Sequence, residues 1–277
     1  MPPRCFIIGH PVAHSRSPLI HGTWLAEHGL RGSYERVDVA PEDLPAFVER
    51  LRAGEFTGGN VTVPHKEAML PLIDEVSEAA RAIGAVNTLW REGTRICGDN
   101  TDVSGFLAHL DATVPGWDER VRTVLVLGAG GAARGIGFGL KVRGVRRIIL
   151  ANRSRTRADE LAASLGAPVE AADWAQRNAL VGQADLVVNT TALGMHGQPP
   201  LDLDLTHLRP GTIVDDIVYV PLMTPLLVDA ERRGGVIVDG LGMLLHQAVP
   251  GFARWFGVTP AVTPALRAKL EADILGH

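Results

Sequence analysis

The sequence predicts an α/β protein of two domains, and three observations lead there. Short apolar runs alternate with amphipathic stretches in two separate regions, a rhythm that builds mostly parallel sheets. At 277 residues the chain exceeds the usual span of a single hydrophobic core. After Val236-Ile237-Val238-Asp239-Gly240 the rhythm ends in two helical stretches with no strand between them. Two helices make no domain alone, so they are expected to pack back on the first region.

The elements follow in order. Phe6 to Gly9 reads as a strand, and Ser17 to His28 as a helix with Ser17 as N-cap and Pro18 at its first position. Tyr34 to Val39 is a second strand, Pro41 to Arg52 a helix, Gly59 to Val63 a third strand and Glu67 to Val76 a third helix. Arg122 to Leu127 is the continuous apolar run that a fully buried parallel strand needs. Ala132 to Val142 and Thr156 to Ser164 read as helices, with Arg147 to Ala151, Asp185 to Thr190 and Thr212 to Ile217 as strands. Leu244 to Phe256 and Thr263 to Leu275 are the closing helices. One domain is therefore expected at 1–104 plus 239–277, the other at 105–238, and the two crossings between them can act as a hinge.

Composition narrows the partners. Hydrophobic content of 46% with 21% charged residues describes an ordinary globular protein. A net charge of -4 leaves no basic footprint for nucleic acid and no polybasic patch for a membrane, so small molecules are the expected partners. Cys5 and Cys97 make no disulfide framework, and the apolar run at the start is too short for a signal peptide or a membrane span. A cytoplasmic protein is expected. Ten histidines occur without metal-site spacing such as H-E-x-x-H, so no metal is expected.

Gly128-x-Gly130-x-x-Ala133 follows a predicted strand and opens a predicted helix. Glycines in that context let the backbone approach a pyrophosphate whose charge is met by amides at the helix N-terminus, a Rossmann-like arrangement. A Walker pattern is missing, which disfavours phosphoryl transfer. At the end of the second strand of such a unit an acidic residue would accept bonds from the ribose of NAD. This chain instead reads Asn152-Arg153-Ser154-Arg155-Thr156-Arg157, which suits the 2′-phosphate of NADP. A blander reading puts Arg155 and Arg157 on a solvated helix face.

Outside that unit, Gly59-Asn60-Val61-Thr62-Val63-Pro64-His65-Lys66 places an amide, a hydroxyl and an ammonium at a strand-to-helix junction. Ser15-Arg16-Ser17, Asn87-Thr88 and Asn100-Thr101-Asp102 are further polar clusters that follow or end predicted strands and should share one sheet rim. Each alone has a dull explanation as a cap or turn residue. Together, His14-Ser15-x-Ser17-Pro18-x-x-His21, Gly59 to Lys66, Gly84-Ala85-Val86-Asn87-Thr88 and Gly98-x-Asn100-Thr101-Asp102-x-x-Gly105 resemble the signature of the shikimate dehydrogenase family. The resemblance continues through Gly128 to Arg134, Asn152-Arg153, Asn189-Thr190-Thr191-x-x-Gly194-Met195, Asp216-x-Val218-Tyr219-x-Pro221 and Gly240-Leu241-Gly242-Met243-Leu244-x-x-Gln247. The family usually has Asn after His21, where this chain has Gly22.

The resemblance implies reversible reduction of 3-dehydroshikimate to shikimate by NADPH, in the pathway to chorismate and the aromatic amino acids. It implies that Ser15 and Ser17 bind the substrate carboxylate with Tyr219 near it. Asn60, Thr62, Asn87 and Gln247 would take ring hydroxyls, and Lys66 and Asp102 would form the catalytic pair. The cofactor would lie along Gly128, Ala129, Gly130, Gly131, Ala132 and Ala133, then Asn152, Arg153, Ser154 and Arg157, then Thr190, Thr191 and Met195, with Ile217 and Gly240. An ammonium at Lys66 can stabilise a developing alkoxide and donate a proton, while Asp102 positions it or shares the proton. Two alternatives stay open: a quinate/shikimate dehydrogenase of broader ring or cofactor specificity, and a non-catalytic shikimate-binding regulator, which should lack the Lys and Asp pair. The family includes both monomers and homodimers.

Overall fold

The protein, a computed structural model, is described over residues 1–276; His277, the last residue of the expected 239–277 segment, lies outside the described residues. The chain runs β1 (Arg4–Gly9), α1 (Ser17–Glu27), β2 (Ser33–Asp38), α2 (Leu44–Arg52), β3 (Gly58–Val61), α3 (His65–Ala68), β4 (Glu75–Val76), α4 (Glu78–Ile83), β5 (Thr88–Glu92) and β6 (Arg95–Asp99). It continues with α5 (Asp102–Thr113), α6 (Trp117–Arg120), β7 (Thr123–Leu127), α7 (Gly131–Val142), β8 (Arg147–Asn152), α8 (Arg155–Leu165), β9 (Val169–Asp173), α9 (Arg177–Val181), β10 (Leu186–Asn189) and β11 (Ile213–Asp216). Then come α10 (Pro225–Arg232), β12 (Val236–Asp239), α11 (Gly240–His246), α12 (Ala248–Phe256) and α13 (Pro264–Leu275). One compact unit comprises Met1–Ser104 with Leu245–Asp273, and Gly105–Leu244 forms the bulk of the other.

The first unit holds a six-stranded sheet in the order β2-β1-β3-β5-β6-β4. Its β1/β2, β1/β3 and β4/β6 pairs are parallel, while β5 runs against both β3 and β6. The β5–β6 hairpin is absent from the sequence reading, because its outer residues Trp90-Arg91-Glu92 and Arg95 break the apolar run that marks a buried strand. The helix expected over Glu67 to Val76 is also cut short. It stops after one turn at Ala68, Pro71 falls in a 3-10 turn, and Glu75–Val76 joins the sheet beside β6. Phe6 anchors the core beneath, edge-on to Phe47 at 4.8 Å and to Phe56 at 5.1 Å. The closing helix α12 packs on the sheet through Trp255, whose indole N–H donates to the Leu89 carbonyl at 2.9 Å.

The second unit is an all-parallel sheet in the order β12-β11-β10-β7-β8-β9, with an apolar core on each face. From β7 the chain first builds outward to β8 and β9, then returns to β10 on the other side. This reversal opens a crevice beyond the carboxyl ends of β7 and β10, the position where doubly wound sheets hold ligands. The sequence expectation closed this segment at 238. The unit runs on through Leu244, most of the way along the short helix α11, where Gly242 lies so close to the His109 ring that a Cβ there would sit 2.0 Å from it.

Candidate active site

In the first unit β1, β3 and β6 point one way and β5 the other. The rim that holds the ends of β1, β3 and β6 therefore also holds the start of β5. The sequence expectation has Asn87 and Thr88 following or ending a strand; Thr88 opens an antiparallel one with Asn87 just before it, and that reversal delivers them to the same rim as Asn60, Thr62 and Asp102.

Lys66 is carried on the single turn of α3, which is tied down at several points. The His65 ring nitrogen Nε2 bonds the Val39 carbonyl at 2.8 Å, and the Lys66 carbonyl accepts the Val86 N–H at 2.8 Å. The side chain is thereby aimed at Asp102, to which Nζ donates at 2.6 Å. Both side chains are about 30% exposed, Lys66 at 29% and Asp102 at 30%, so the pair is reachable yet partly desolvated. The other carboxylate oxygen of Asp102 accepts from Asn87 Nδ2 at 2.9 Å. Asp102 is thus held on both oxygens, and the ammonium keeps two further N–H donors for a ligand.

Behind this pair runs a buried amide and hydroxyl network. Asn87 Oδ1 accepts from the Thr101 N–H at 2.8 Å and from Thr88 Oγ1 at 2.9 Å, which fixes its amide orientation. Asn60 Nδ2 donates to the Asn87 carbonyl at 3.0 Å and to Thr88 Oγ1 at 3.1 Å, and Asn60 Oδ1 accepts from the Tyr34 hydroxyl at 2.6 Å. Thr88 and Thr101 stand inside the quoted polar clusters without an assigned role, and Tyr34 reads only as the start of a strand, since nothing in a strand pattern says which hydroxyl faces a polar network.

Ser15 and Ser17 lie at the start of α1, beyond the end of β1. Ser17 is not the N-cap: Arg16 occupies that position without a side-chain cap bond, and Ser17 is the first helical residue, its N–H donating to Ser15 Oγ at 3.3 Å. The Ser15 carbonyl accepts from Arg36 Nε at 3.0 Å and Nη2 at 2.6 Å, and Arg16 pairs with Asp273 at 2.8 Å. Ser15, Arg16, Arg36 and Asp273 line a cavity of about 270 Å³ with His14 and Leu19, and Ser17, next in sequence to Arg16, is buried. The Arg36 guanidinium and the Ser15 hydroxyl there are of the kind that suits a carboxylate ligand, while Arg16 is paired with Asp273. Thr62 follows β3, its methyl close against Gly9, and Gln247 is buried at the start of α12 in the same unit. Tyr219 instead belongs to the second unit, in the loop after β11.

The cofactor candidates gather at the strand ends of the second unit. Gly128 follows β7 with φ +114, and a Cβ there would lie 2.6 Å from Thr190 Oγ1. Only glycine fits that approach. Gly130 caps α7, Gly131 is its first residue, Ala129 and Ala132 stand beside the turn, and Ala133 is buried beneath it. The α7 N-terminus therefore offers open amides and no side chain at the cap, which suits a pyrophosphate. At the end of β8, Asn152 Nδ2 donates to the Ser154 carbonyl and Ser154 caps α8. Arg155 is spent on Asp159 and Asp173, whereas among the described residues the guanidiniums of Arg153 and Arg157 have no partner. That leaves two exposed cations and no carboxylate at the position that selects between the two nicotinamide cofactors. On the other side of the crevice a buried Asn189–Asp216 bond of 2.9 Å joins β10 to β11, and Asn189 Oδ1 holds the Thr191 N–H and hydroxyl. Met195 is 38% exposed in the following turn. Gly240 is pressed against Ile217, where a Cβ would sit 2.3 Å from the carbonyl oxygen.

Three comparisons meet this geometry. Residues 7–89 match the family described as "Shikimate dehydrogenase substrate binding domain", residues 114–195 "Shikimate / quinate 5-dehydrogenase" and residues 240–268 "Shikimate 5'-dehydrogenase C-terminal domain". A relative from Azorhizobium caulinodans called shikimate dehydrogenase (NADP(+)) is 55% identical over 271 residues, covering 98% of this chain and 96% of the relative. The chain belongs to the shikimate dehydrogenase family. Among solved structures, shikimate 5-dehydrogenase from Thermus thermophilus in complex with NADP(H) and shikimate aligns with TM-score 0.87 and 36% identity, covering 98% of this chain and 99% of that one. Quinate dehydrogenase from Corynebacterium glutamicum in complex with NAD aligns with TM-score 0.90 and 32% identity, covering 97% and 98%. The family's two-domain α/β architecture is therefore the architecture of this chain. Where it departs from the usual family pattern, Gly22 is exposed on α1 with nothing within 4 Å of its would-be Cβ.

Among the described residues no helix is long and apolar enough to cross a membrane. One group of metal-ligand type, Glu75, Glu92 and Cys97, converges on the β5–β6 hairpin. Arg95 pairs with both of its carboxylates, so their charge is already met.

Proposed function

We propose that the protein catalyses the reversible, NADP-dependent interconversion of 3-dehydroshikimate and shikimate, with Lys66 as the proton-handling residue and Asp102 as its partner. The observation that carries this reading is the 2.6 Å Lys66–Asp102 pair, braced by Asn87 and partly exposed on a rim lined with amides and hydroxyls. A ligand-sensing protein needs no such pair. Ser15 and Ser17, beside Arg16 and Arg36, supply the carboxylate end of the pocket. Asn60, Thr62, Asn87 and Gln247 supply partners for ring hydroxyls. NADP supplies hydride exchange when bound, and Gly128 to Ala133, Asn152 to Ser154, Arg157, Thr190, Thr191, Met195, Ile217 and Gly240 are the residues that would hold it. Tyr219, in the same unit, is assigned to the carboxylate by family resemblance alone. The reading also places the protein in the cytoplasm, consistent with two buried, unbridged cysteines.

Carbonyl reduction leaves an alkoxide that must gain a proton. Lys66 has N–H bonds to spare and a carboxylate that orients it, so it stabilises the alkoxide and donates; in the oxidation direction the same amine takes the proton back. Lys66→Ala is expected to lower kcat by about 100- to 10,000-fold with KM for shikimate changed far less. Steady-state kinetics check this, and equal losses in kcat and affinity would mean that Lys66 only binds. A second reading, oxidation of quinate as well as shikimate, is favoured by the close fit to the quinate dehydrogenase. Turnover of both acids with NADP and with NAD decides between the two.

A further inference from the structure

Tyr34 takes no part in the chemistry described above, yet its hydroxyl sits 2.6 Å from Asn60 Oδ1. We propose that Tyr34 is a positioning residue for the substrate pocket, locking the Asn60 carboxamide so that it presents one hydrogen-bond acceptor to a ring hydroxyl. The inference rests on the reading of Asn60 as a substrate ligand and deepens it.

A donor inventory supports the assignment. Both N–H bonds of Asn60 are committed, to the Asn87 carbonyl and to Thr88 Oγ1, so the amide has no donor left. Its oxygen has two lone pairs, and Tyr34 occupies one. Asn87 is the converse: its oxygen is filled by Thr101 and Thr88, while one N–H remains after the bond to Asp102. The two amides thus stand side by side with opposite polarity, and a vicinal pair of hydroxyls can donate to one and accept from the other. Tyr34 holds the oxygen end of Asn60.

Tyr34 is itself held. Its ring stacks on His21 with centroids 4.1 Å apart and planes 17° from parallel. His21 is fully buried, contacts Trp24, Phe252 and Trp255 as well, and neither of its ring nitrogens has a hydrogen-bond partner. It acts here as a flat apolar wedge. Burial keeps the Tyr34 hydroxyl protonated well above the usual phenol range, so it donates throughout the working pH range.

The test is a double-mutant cycle on KM for shikimate at saturating NADP, with KM for NADP and thermal midpoint read on every variant. Phenylalanine at position 34 keeps the stack on His21, so the fold survives. Tyr34→Phe is expected to raise KM for shikimate about tenfold while kcat and KM for NADP stay within about twofold. On an Asn60→Ala background the same substitution should change KM by less than about twofold; a larger change there would run through Ser17, which also hydrogen-bonds the Tyr34 hydroxyl, and would overturn the proposal. A general structural role would lower the thermal midpoint and would add its full effect on that background, and this result overturns the proposal. Raised KM in Asn60→Ala beside unchanged KM in Tyr34→Phe overturns the positioning role alone. Unchanged KM in Asn60→Ala overturns the reading of Asn60 as a ligand, and the positioning role with it.

Discussion

His21 shows how far one residue can depart from its sequence appearance. In the sequence it stands as one polar letter of the motif around Ser15 and Ser17, but it is wholly enclosed by aromatic rings, and burial lowers its pKa from 6.5 to about 3. The unfolded chain binds a proton near pH 6.5 and the folded chain does not until about pH 3. Stability attributable to this residue is therefore complete above pH 6.5 and is lost as pH falls toward 3, at about 1.4 kcal/mol per pH unit. His21→Phe removes the titrating group and keeps a flat ring. Its stability relative to the parent should rise by about 3 kcal/mol between pH 7 and pH 4, measured by urea denaturation at the two values. An unchanged difference would show that His21 is not buried neutral. The Lys66–Asp102 pair is the opposite case at this scale: two residues whose types announced chemistry, and which form a 2.6 Å ion pair.

At the scale of elements, β3 decides where the substrate-side residues stand. It is only four residues long and fully buried, and its two glycines are there for lack of space. A Cβ on Gly58 would lie 2.4 Å from the Leu89 carbonyl and 2.5 Å from the Trp255 indole nitrogen, the two groups that join α12 to the sheet. Gly58→Ala should destabilise the protein by about 2–4 kcal/mol, by overpacking and loss of that bond. Gly22→Ala on α1 is the control, because the position is open and helical, and should gain about 0.5–1 kcal/mol. Chemical denaturation of both variants checks the pair, and similar effects would contradict the packing argument. The same element level explains the missed hairpin. A strand whose outer half is Trp90-Arg91-Glu92 reads as loop to any periodicity test, although its inner half carries Asn87 and Thr88 into the site.

For the whole molecule, each unit has its own sheet and core, and the substrate-side unit is discontinuous in sequence, closed by α12 far along the chain. If the units divide the ligands as proposed, hydrogen exchange should show shikimate protecting amides of residues 1–104 and 245–273, and NADP protecting 105–244. Protection by either ligand confined to the opposite unit would refute the division. The sequence by itself determined the α/β class, the two-unit division, the glycine-rich turn after β7, the acid-free end of β8 and the identity of the polar clusters, since each is a matter of residue type at fixed local spacing. Tertiary structure alone decided that β5 runs backward and so brings Asn87 beside Asp102, that Arg155 is spent on Asp159 and Asp173 while Arg153 and Arg157 stay unpaired, and that Tyr34 bonds Asn60. Apart from the local i,i+4 pair of Arg155 with Asp159, those depend on strand direction and side-chain pairing across 15 to 27 positions, which the side-chain period of a single segment does not encode.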